Sequence, residues 1–318
     1  MRILITGSTG LIGASLAQFL STSGHEVIRL VRSKPTPGSG AIHWDPGSGT
    51  IDTTALEGLD GVAHFAGENI ATKRWTARQK ARILESRVNG TRLLAESLAR
   101  LARPPKGLIS ASAIGYYGDR GDEVLREESA PGSGFLPEVC CAWEAATKPA
   151  DGRGIRVVHL RTGMVLSPAG GALGKMLTAF RLGAGGVIGS GRQYMSWIAL
   201  DDVIGAVHHV LITDALQGPV NVVAPAPVTN REFTRTLGHV LSRPTLLPAP
   251  AFAVRLALGE MAEELLLSSQ RVEPARLVSS GYRFGFPGLE GALRHLLGKS
   301  DPAVRAGPSR NARPLGTA

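Results

Sequence analysis

The stretch ITGSTGLIG, residues 5–13, decides the fold of the first part of the chain. Before it, residues 2–6 form a short apolar run with the composition of a β-strand. After it, residues 11–23 carry apolar side chains at helical spacing. The three glycines of the stretch therefore lie in a turn that leads from a strand into a helix.

Each glycine of this turn meets a separate physical demand. Gly7 permits a sharp turn with positive φ, Gly10 lets the backbone come close to a pyrophosphate, and Gly13 lets the helix pack tightly on the strand. The first turn of the helix then offers free N–H groups to an anion. The stretch predicts a dinucleotide site, and a purely structural turn is the alternative.

Length and composition set the broad class of the protein. A chain of 318 residues with 43% hydrophobic residues can bury a sizeable core, in one large or two small domains. The sequence has no apolar run of membrane-spanning length and no recognisable signal peptide, so we expect no membrane partner. Cys140 and Cys141 are adjacent, a spacing that rarely forms a useful disulfide. We therefore expect reduced thiols and a cytoplasmic location.

The net charge of +9 is concentrated in one segment. Residues 73–106 contain ten Lys or Arg against two Glu, a net charge of +8. Such a segment suits a phosphate-rich cofactor, an anionic substrate or nucleic acid, and a solvated helix face is the plain alternative. The sequence has no zinc-finger spacing and no aromatic ribonucleoprotein motif, so we expect no nucleic acid partner. The histidines lack metal-ligand spacing, so we expect no metal site.

Strand-like and helix-like segments alternate through the first half of the chain. The predicted strands are 26–31, 41–44, 62–65, 107–112 and 155–160, and the predicted helices are 76–102 and 138–148, the latter ended by Pro149. This alternation is typical of an α/β protein with a doubly wound parallel sheet and helices on both faces. We assign residues 1–165 to this dinucleotide-binding domain.

The second half of the chain changes character, because residues 167–191 are rich in glycine. The further predicted helices are 172–181, 201–211, 229–241 and 251–267, and a predicted strand near 218–224 returns to the sheet. These patterns predict a small, mostly helical C-terminal lobe, residues 166–298, interleaved with the sheet. Residues 299–318 are rich in Pro, Gly and Arg and have little to bury, so we expect a disordered tail.

The end of the second strand indicates which dinucleotide binds. NAD sites place an acidic residue at this point, on the 2′-hydroxyl of the ribose. Here the strand ends in LVRS, residues 30–33, with Arg32 and no acid. A guanidinium binds a 2′-phosphate with two hydrogen bonds, whereas a carboxylate repels it. The sequence therefore predicts NADP(H), and an ordinary surface arginine is the alternative.

Three more segments follow predicted strands at the same edge of the sheet. They are HFAGEN (64–69), SASAIGYYGD (110–119) and RTGMVLSP (161–168). Because ligands bind outside the carboxyl ends of parallel strands, we expect all four segments to meet at one cleft. Ser112 is a candidate hydrogen-bond donor to a substrate oxygen, and Tyr116 or Tyr117 is expected to reach the same cleft. A plain strand-end hydroxyl and simple aromatic packing are the alternatives.

Taken together, these motifs resemble the extended short-chain dehydrogenase/reductase superfamily, in particular its atypical "epimerase family" branch. The resemblance covers residues 1 to about 297. The matching pieces are ITGSTGLIG, HFAGENI, SRVNGTRLL, ISASAIGYYGDRGDE, EVCCAWE, RTGMVLSP, GSGRQYMSWI with LDDV, and GEMAEELLLSSQRVEP. The resemblance implies a Rossmann domain, NADP binding and a small C-terminal substrate lobe.

The resemblance also implies roles for individual residues. Gly7, Thr9, Gly10, Leu11 and Ile12 are expected to hold the pyrophosphate, and Arg32 the adenosine phosphate. The remaining candidates from the resemblance are Trp44 near the adenine, Phe65, Ala66 and Gly67 along the ribose, and Arg161 and Met164 near the nicotinamide. Glu68, whose place after a strand points its polar group at the cleft, and Ser110 are further candidates for cofactor binding.

Two departures from the family pattern bear on catalysis. The superfamily uses a Tyr, and a Lys four residues later, for acid/base work. Aligning Glu144 on the helix glutamate of the family puts Leu136 and Cys140 at those two positions, whereas Ser112, the third catalytic member, is kept. Arg87 replaces an Asn of the family's long helix, and Arg82 lies five residues earlier. We expect one of these cations to take over part of the role of the missing Lys.

The sequence thus predicts an NADP-binding oxidoreductase or epimerase-like enzyme that acts on a small polar substrate. The substrate cleft is expected between the glycine-rich sheet edge and residues 189–198, in a monomer or homodimer. A non-catalytic NADP(H)-binding sensor or partner-binding protein is the alternative, favoured by the loss of the Tyr and Lys.

Overall fold

An eight-stranded sheet forms the centre of the protein in the computed structural model, which describes residues 1–36 and 38–300. The predicted tail, 299–318, lies outside the described residues except for its first two. The strands are β1 Arg2–Thr6, β2 Glu26–Val31, β3 Ala41–Asp45, β4 Thr50–Ile51, β5 Gly61–His64, β6 Gly107–Ala113, β7 Val124–Leu125, β8 Arg156–Thr162, β9 Met164–Ser167, β10 Tyr194–Met195, β11 Trp197–Ala199, β12 Gly218–Val222, β13 Val228–Thr229 and β14 Arg271–Val272.

The strand order of the sheet is 12-8-6-5-1-2-3-4. All neighbours are parallel except β3 and β4, which form an antiparallel pair at one edge. The chain runs outward from β1 through β2 to β3, and then returns to build the other half from β5. The order therefore reverses between β1 and β5, which is where a doubly wound sheet opens a crevice for a ligand.

Alternate residues of the central strands face two separate cores. Ile3 and Ile5 point to one face of the sheet, and Leu4 points to the other. Burial on both faces explains why these strands read as continuous apolar runs. A third core fills the C-terminal lobe around Trp197 and Phe233.

The helices are α1 Leu11–Thr22, α2 Ala77–Ala99, α3 Phe135–Ala145, α4 Lys148–Gly152, α5 Gly171–Arg181, α6 Leu200–Ile212, α7 Asn230–Leu241, α8 Ala251–Leu258, α9 Glu260–Ala262, α10 Ala275–Ser279 and α11 Leu289–Leu296. The predicted helix 138–148 begins three residues earlier and ends at Ala145. Pro149 does not end it, because it lies in the first turn of α4, where a helix tolerates proline.

The prediction of one helix over residues 251–267 is wrong. Gly259, with φ +63°, ends α8. The chain then continues through α9 into a π-helix, Glu263–Leu267. A residue with positive φ cannot continue a right-handed helix, so the apolar spacing spans a break that it does not reveal.

A buried polar network lies directly behind the glycine turn. The two ring nitrogens of His64 contact Thr6 Oγ1 at 2.7 Å and Thr91 Oγ1 at 2.9 Å. Thr6 Oγ1 also accepts hydrogen bonds from the backbone N–H groups of Phe65 and Ala66, both at 3.1 Å. The Thr6 hydroxyl must then give its own proton to His64, which fixes a neutral imidazole with its proton on Nε2. The network holds the turn after β5 against β1.

We expect His64 to make stability fall in mild acid. Complete burial lowers the pKa of His64 from 6.5 to about 4. The stabilisation is therefore full above pH 6.5 and is lost as the pH falls toward 4. Between pH 7.5 and 5, the free energy of unfolding by urea should decrease by about 2 kcal/mol through this group.

The variant His64→Asn should remove this component of the pH dependence, whatever its own stability. His239→Gln changes an exposed histidine and serves as the control. An unchanged slope of stability against pH in His64→Asn contradicts the assignment.

Candidate functional site

The carboxyl ends of β1, β5, β6 and β8 lie side by side, because these parallel strands are neighbours in the sheet. The segments after them, 7–13, 65–69, 114–119 and 163–168, therefore start at one edge. The strand order confirms that the four motifs follow neighbouring strands. This edge, at the reversal point of the sheet, is the candidate site.

The glycine turn touches the neighbouring strand end so closely that a side chain does not fit. Gly7 has φ +67°, and a Cβ atom on it would lie 2.7 Å from the carbonyl carbon of Phe65. A Cβ atom on Gly13 would overlap the carbonyl oxygen of Gly7. These contacts bring the start of α1 against both strands, as the tight strand–turn–helix of a dinucleotide site requires.

The N-terminus of α1 has the features of an anion site. Gly10 precedes the helix and donates its N–H to Gly7 O at 2.9 Å. No side chain among the described residues caps this helix end. Thr9 and Gly10 are exposed, and Leu11 and Ile12 are half-buried. The uncapped N–H groups and the close backbone therefore fit a pyrophosphate.

The predicted adenosine contacts lie in contrasting surroundings. Arg32 is exposed just after β2, and its carbonyl oxygen is 3.1 Å from His43 Nε2. Trp44, expected near the adenine, is 2% exposed, packs against Gly90 of α2 and lies edge-on to His64. A large apolar ring at the end of β3 is buried under α2, which the strand pattern does not show.

The segment after β5 is fixed to α2 by hydrogen bonds between its backbone and two side chains of the helix. The N–H of Glu68 donates to Ser86 Oγ at 3.0 Å, and the Glu68 carbonyl oxygen accepts from Arg87 Nη1 at 2.9 Å. Phe65 and Ala66 are half-buried, each against a different core, and Gly67 is exposed. The predicted ribose contacts thus form a fixed ledge beside the glycine turn.

Arg87 lies beneath this ledge. Its guanidinium carbon is 4.9 Å from the centre of the Trp143 ring and 3.4 Å from where a Cβ atom on Gly67 would be. Burial lowers the pKa of Arg87, although it still leaves an arginine charged at neutral pH. Arg82 is exposed, and five positions turn it about 140° around α2 from Arg87. Of the two candidate cations, Arg87 is therefore the one next to the ledge.

Ser112 belongs to a buried ionic network. Its hydroxyl donates to Glu144 Oε1 at 2.7 Å, and Arg161 donates to both oxygens of the same carboxylate at 2.9 Å. Burial opposes the charge on Arg161, but its hydrogen bonds and charge attraction with Glu144 are stronger and raise the pKa of Arg161. Ser112 is 4% exposed and its proton is used by Glu144, so its oxygen can still accept a hydrogen bond but has no second proton to donate.

This network changes the expected place of Arg161. The side chain is almost fully buried and points from β8 to Glu144 of α3, with a further hydrogen bond from Nη1 to the Tyr117 hydroxyl at 3.1 Å. Its guanidinium therefore contacts Glu144 and the tyrosines and is shielded from solvent. Glu144 itself was missed as a site residue, although its alignment with a family glutamate was the available signal.

The two tyrosines differ in their exposure to solvent. Either tyrosine was expected to reach the cleft; Tyr117 is fully buried, and its hydroxyl donates to Asn221 Oδ1 at 2.7 Å. Tyr116 is half-buried, and the guanidinium carbon of Arg161 lies 3.4 Å from the centre of its ring. Burial raises the pKa of Tyr116, and Arg161 only partly opposes this. Tyr116 is therefore a protonated phenol at neutral pH.

The remaining candidates lie deeper. Ser110, a candidate for cofactor binding, is fully buried within β6, two residues before Ser112. Met164 is half-buried, and its backbone pairs with β11.

Helix α3 keeps its place without the acid/base pair that is usual in the superfamily. Leu136 and Cys140 are buried, and burial raises the pKa of Cys140 to about 12. The carboxylate of Glu264, from the π-helix, accepts hydrogen bonds from the N–H groups of Phe135 and Leu136 at 3.2 and 3.3 Å. Glu264 thus caps α3 from the C-terminal lobe, and neither Leu136 nor Cys140 can exchange a proton with a substrate.

Two family models match the chain. The NAD-dependent epimerase/dehydratase family matches residues 3–223, which include the whole carboxyl edge of the sheet up to β12. A domain of unknown function, DUF1731, matches residues 249–296, which include α8 and the π-helix.

Similar proteins come from bacteria and from human. The epimerase family protein Mb2239 of Mycobacterium bovis is 46% identical over 282 residues, which are 89% of this chain and 93% of that protein. The crystal structure of human epimerase family protein SDR39U1 (isoform 2) with NADPH is 38% identical, with a TM-score of 0.85 over 93% of this chain and 99% of that chain. A nucleoside-diphosphate sugar epimerase from Corynebacterium glutamicum is 40% identical, with a TM-score of 0.79 over 94% of this chain and 58% of that chain.

The matched region and the shared fold agree with the resemblance to extended short-chain dehydrogenases/reductases, and the human relative was crystallised with the cofactor that the sequence predicts. This chain therefore belongs to the NAD-dependent epimerase/dehydratase family.

Proposed function

We propose that this chain binds NADP(H) at the carboxyl edge of the sheet and transfers hydride between it and a small polar substrate. The observation that carries the proposal is the close backbone contact of Gly7 with Phe65 beside the uncapped start of α1, which fits a pyrophosphate. The NADPH found with the human relative supports the choice of cofactor. The substrate lies between this edge and the C-terminal lobe, residues 166–298.

Residues at the end of β6 carry the proton chemistry in this proposal. When bound, NADPH supplies a hydride to a carbonyl carbon, and the carbonyl oxygen then needs a proton. Tyr116 is protonated at neutral pH and partly exposed, so it donates this proton. Ser112 orients the substrate by accepting a hydrogen bond from a neighbouring hydroxyl, because its own proton is held by Glu144.

A non-catalytic sensor is the second candidate, and one observation favours it. Leu136 and Cys140 fill the positions of the usual Tyr and Lys, and both are buried. In that case NADP(H) binds in the same place, but no carbonyl compound is reduced. Activity, and not cofactor binding, separates the two candidates.

Arg32→Ala should remove the preference for NADP(H). A hydrogen bond to a charged group contributes about 1.5–3 kcal/mol, so the Kd for NADPH should rise about ten- to hundredfold while the Kd for NADH stays constant. Both constants are measured by nicotinamide fluorescence. Lys34→Ala removes a neighbouring exposed cation and is the matched control. An equal loss of affinity for both cofactors, or none, contradicts the role of Arg32.

Arg87→Ala should weaken NADPH binding by about tenfold, because the half-buried cation beneath the ribose ledge is lost. Arg82→Ala changes an exposed arginine on the same helix and should have no effect. Arg87→Lys keeps the charge. If its affinity for NADPH lies between those of Arg87→Ala and the unaltered protein, the loss in Arg87→Ala comes from the missing charge and not from a displaced ledge. Unchanged affinity in a folded Arg87→Ala protein rules out the role.

Tyr116→Phe should reduce kcat at least about a hundredfold with little change in the Kd for NADPH, because only the proton donor is removed. The assay follows NADPH oxidation with a panel of small aldehydes and ketones. Tyr117→Phe is the matched control: it removes a buried hydroxyl and lowers stability, but it keeps the donor. If the two variants have equal kcat, another residue is the proton donor. If the unaltered protein turns over none of the compounds, the result favours the non-catalytic sensor.

A further inference from the structure

The C-terminal lobe carries a concentrated apolar surface. Among the described residues, the five most exposed large apolar side chains expose between 62% and 84% of their surface. One of the five directly follows α5, and the other four lie within residues 246–256. We call these five side chains the apolar patch: Leu182, Leu246, Leu247, Phe252 and Leu256. Single exposed apolar residues are normal, whereas a cluster marks an interaction site.

Hydrogen bonds hold the two segments of the patch together. Arg243 Nε donates to the carbonyl oxygen of Arg181 at 2.9 Å, which joins the chain before Leu246 to the end of α5 next to Leu182. Ala249 exchanges backbone hydrogen bonds with Val187 and Gly189 at 2.8 and 2.9 Å. These bonds fix the segment on which the patch is built.

Helix α8 contributes the second half of the patch and buries none of its residues. Phe252 and Leu256 are one turn apart and share a face of this helix. Apolar contacts with the dinucleotide-binding domain begin at its last residue, because Leu258 is partly buried and packs in the same cluster as Met261. Helix α8 is thus anchored at both ends, whereas its face with Phe252 and Leu256 is exposed.

Arginines border the patch. Arg181 and Arg243 lie beside Leu182, Arg255 is on α8, and Arg74 donates to the carbonyl oxygen of Leu256 at 3.1 Å. Of these, Arg255 is paired with Glu263 at 2.8 Å. An apolar surface with a cationic border is the pattern of proteins that lie at the interface of an anionic membrane.

We propose that the apolar patch docks on an anionic lipid surface. The leucines and Phe252 enter the boundary between headgroups and acyl chains, and the arginines contact lipid phosphates. A second copy of this chain is the alternative occupant, and the arginine border favours the anionic lipid surface, because it supplies the opposite charge.

Surface docking is compatible with the sequence pattern. No helix of the described residues is long and apolar enough to cross a membrane. The expectation of no membrane partner rested on spanning segments, and it did not consider α8 lying on a surface.

The test is co-sedimentation of the full chain with vesicles. We expect binding to vesicles of equal parts phosphatidylcholine and phosphatidylglycerol, and binding at least about tenfold weaker to pure phosphatidylcholine. Phe252→Ser combined with Leu256→Ser should weaken binding at least about tenfold, because both side chains lose their apolar burial. Arg181→Glu should weaken it at least about fivefold.

Ile212→Ser combined with Val278→Ser is the matched control, because both side chains are exposed but lie outside the patch. This variant should bind like the unaltered protein. Absence of binding to the anionic vesicles, or binding that the patch variant leaves intact, overturns the proposal. Equal binding to neutral vesicles also overturns it. If vesicles do not bind and the patch variant instead dissociates a dimer in sedimentation equilibrium, the patch is an interface between copies.

Discussion

Glu144 and Arg161 form a bidentate ion pair that joins α3 to β8 at the carboxyl edge of the sheet. Both charges are nearly withdrawn from water, so removing either partner leaves the other uncompensated and costs several kcal/mol. The pair also fixes the direction of the Ser112 hydroxyl and places a cation on the Tyr116 ring. The edge that we assign to the cofactor and the substrate therefore depends on the Glu144–Arg161 ion pair, although we assign neither residue a direct contact with them.

The same pair explains how α3 keeps its position after losing the usual acid/base residues. Glu264 binds its first turn, Arg161 binds Glu144 in its last turn, and Leu136 packs into an apolar cluster with Met261. With both ends fixed, the middle of the helix is free to be apolar. Polar chemistry at this edge is left to the end of β6, where Ser112 and Tyr116 lie, and to Arg87 beneath the segment after β5.

Sequence patterns predicted the parts of the fold that depend on neighbouring residues. The glycine turn, the main strands and the meeting of four motifs follow from local spacing and from the rule for parallel sheets. Sequence patterns could not show burial between distant segments: Trp44 lies under α2, Tyr117 bonds to Asn221, and Arg161 is held by Glu144. Two-residue strands such as β7 and β14 are too short to show alternation. The break at Gly259 was hidden because apolar residues continue on both sides of it.

The central claim is that the carboxyl edge of β1 and β5 binds NADP(H), and a titration of the unaltered protein with NADPH tests it most directly. Nicotinamide fluorescence should change saturably, with one cofactor bound per chain and a Kd well below about 1 mM, the upper end of ordinary enzyme affinities. Added NADP⁺ should displace the bound NADPH, because both use the pyrophosphate site at the start of α1. If the fluorescence up to that concentration rises only as it does for NADPH without the protein, the account is contradicted.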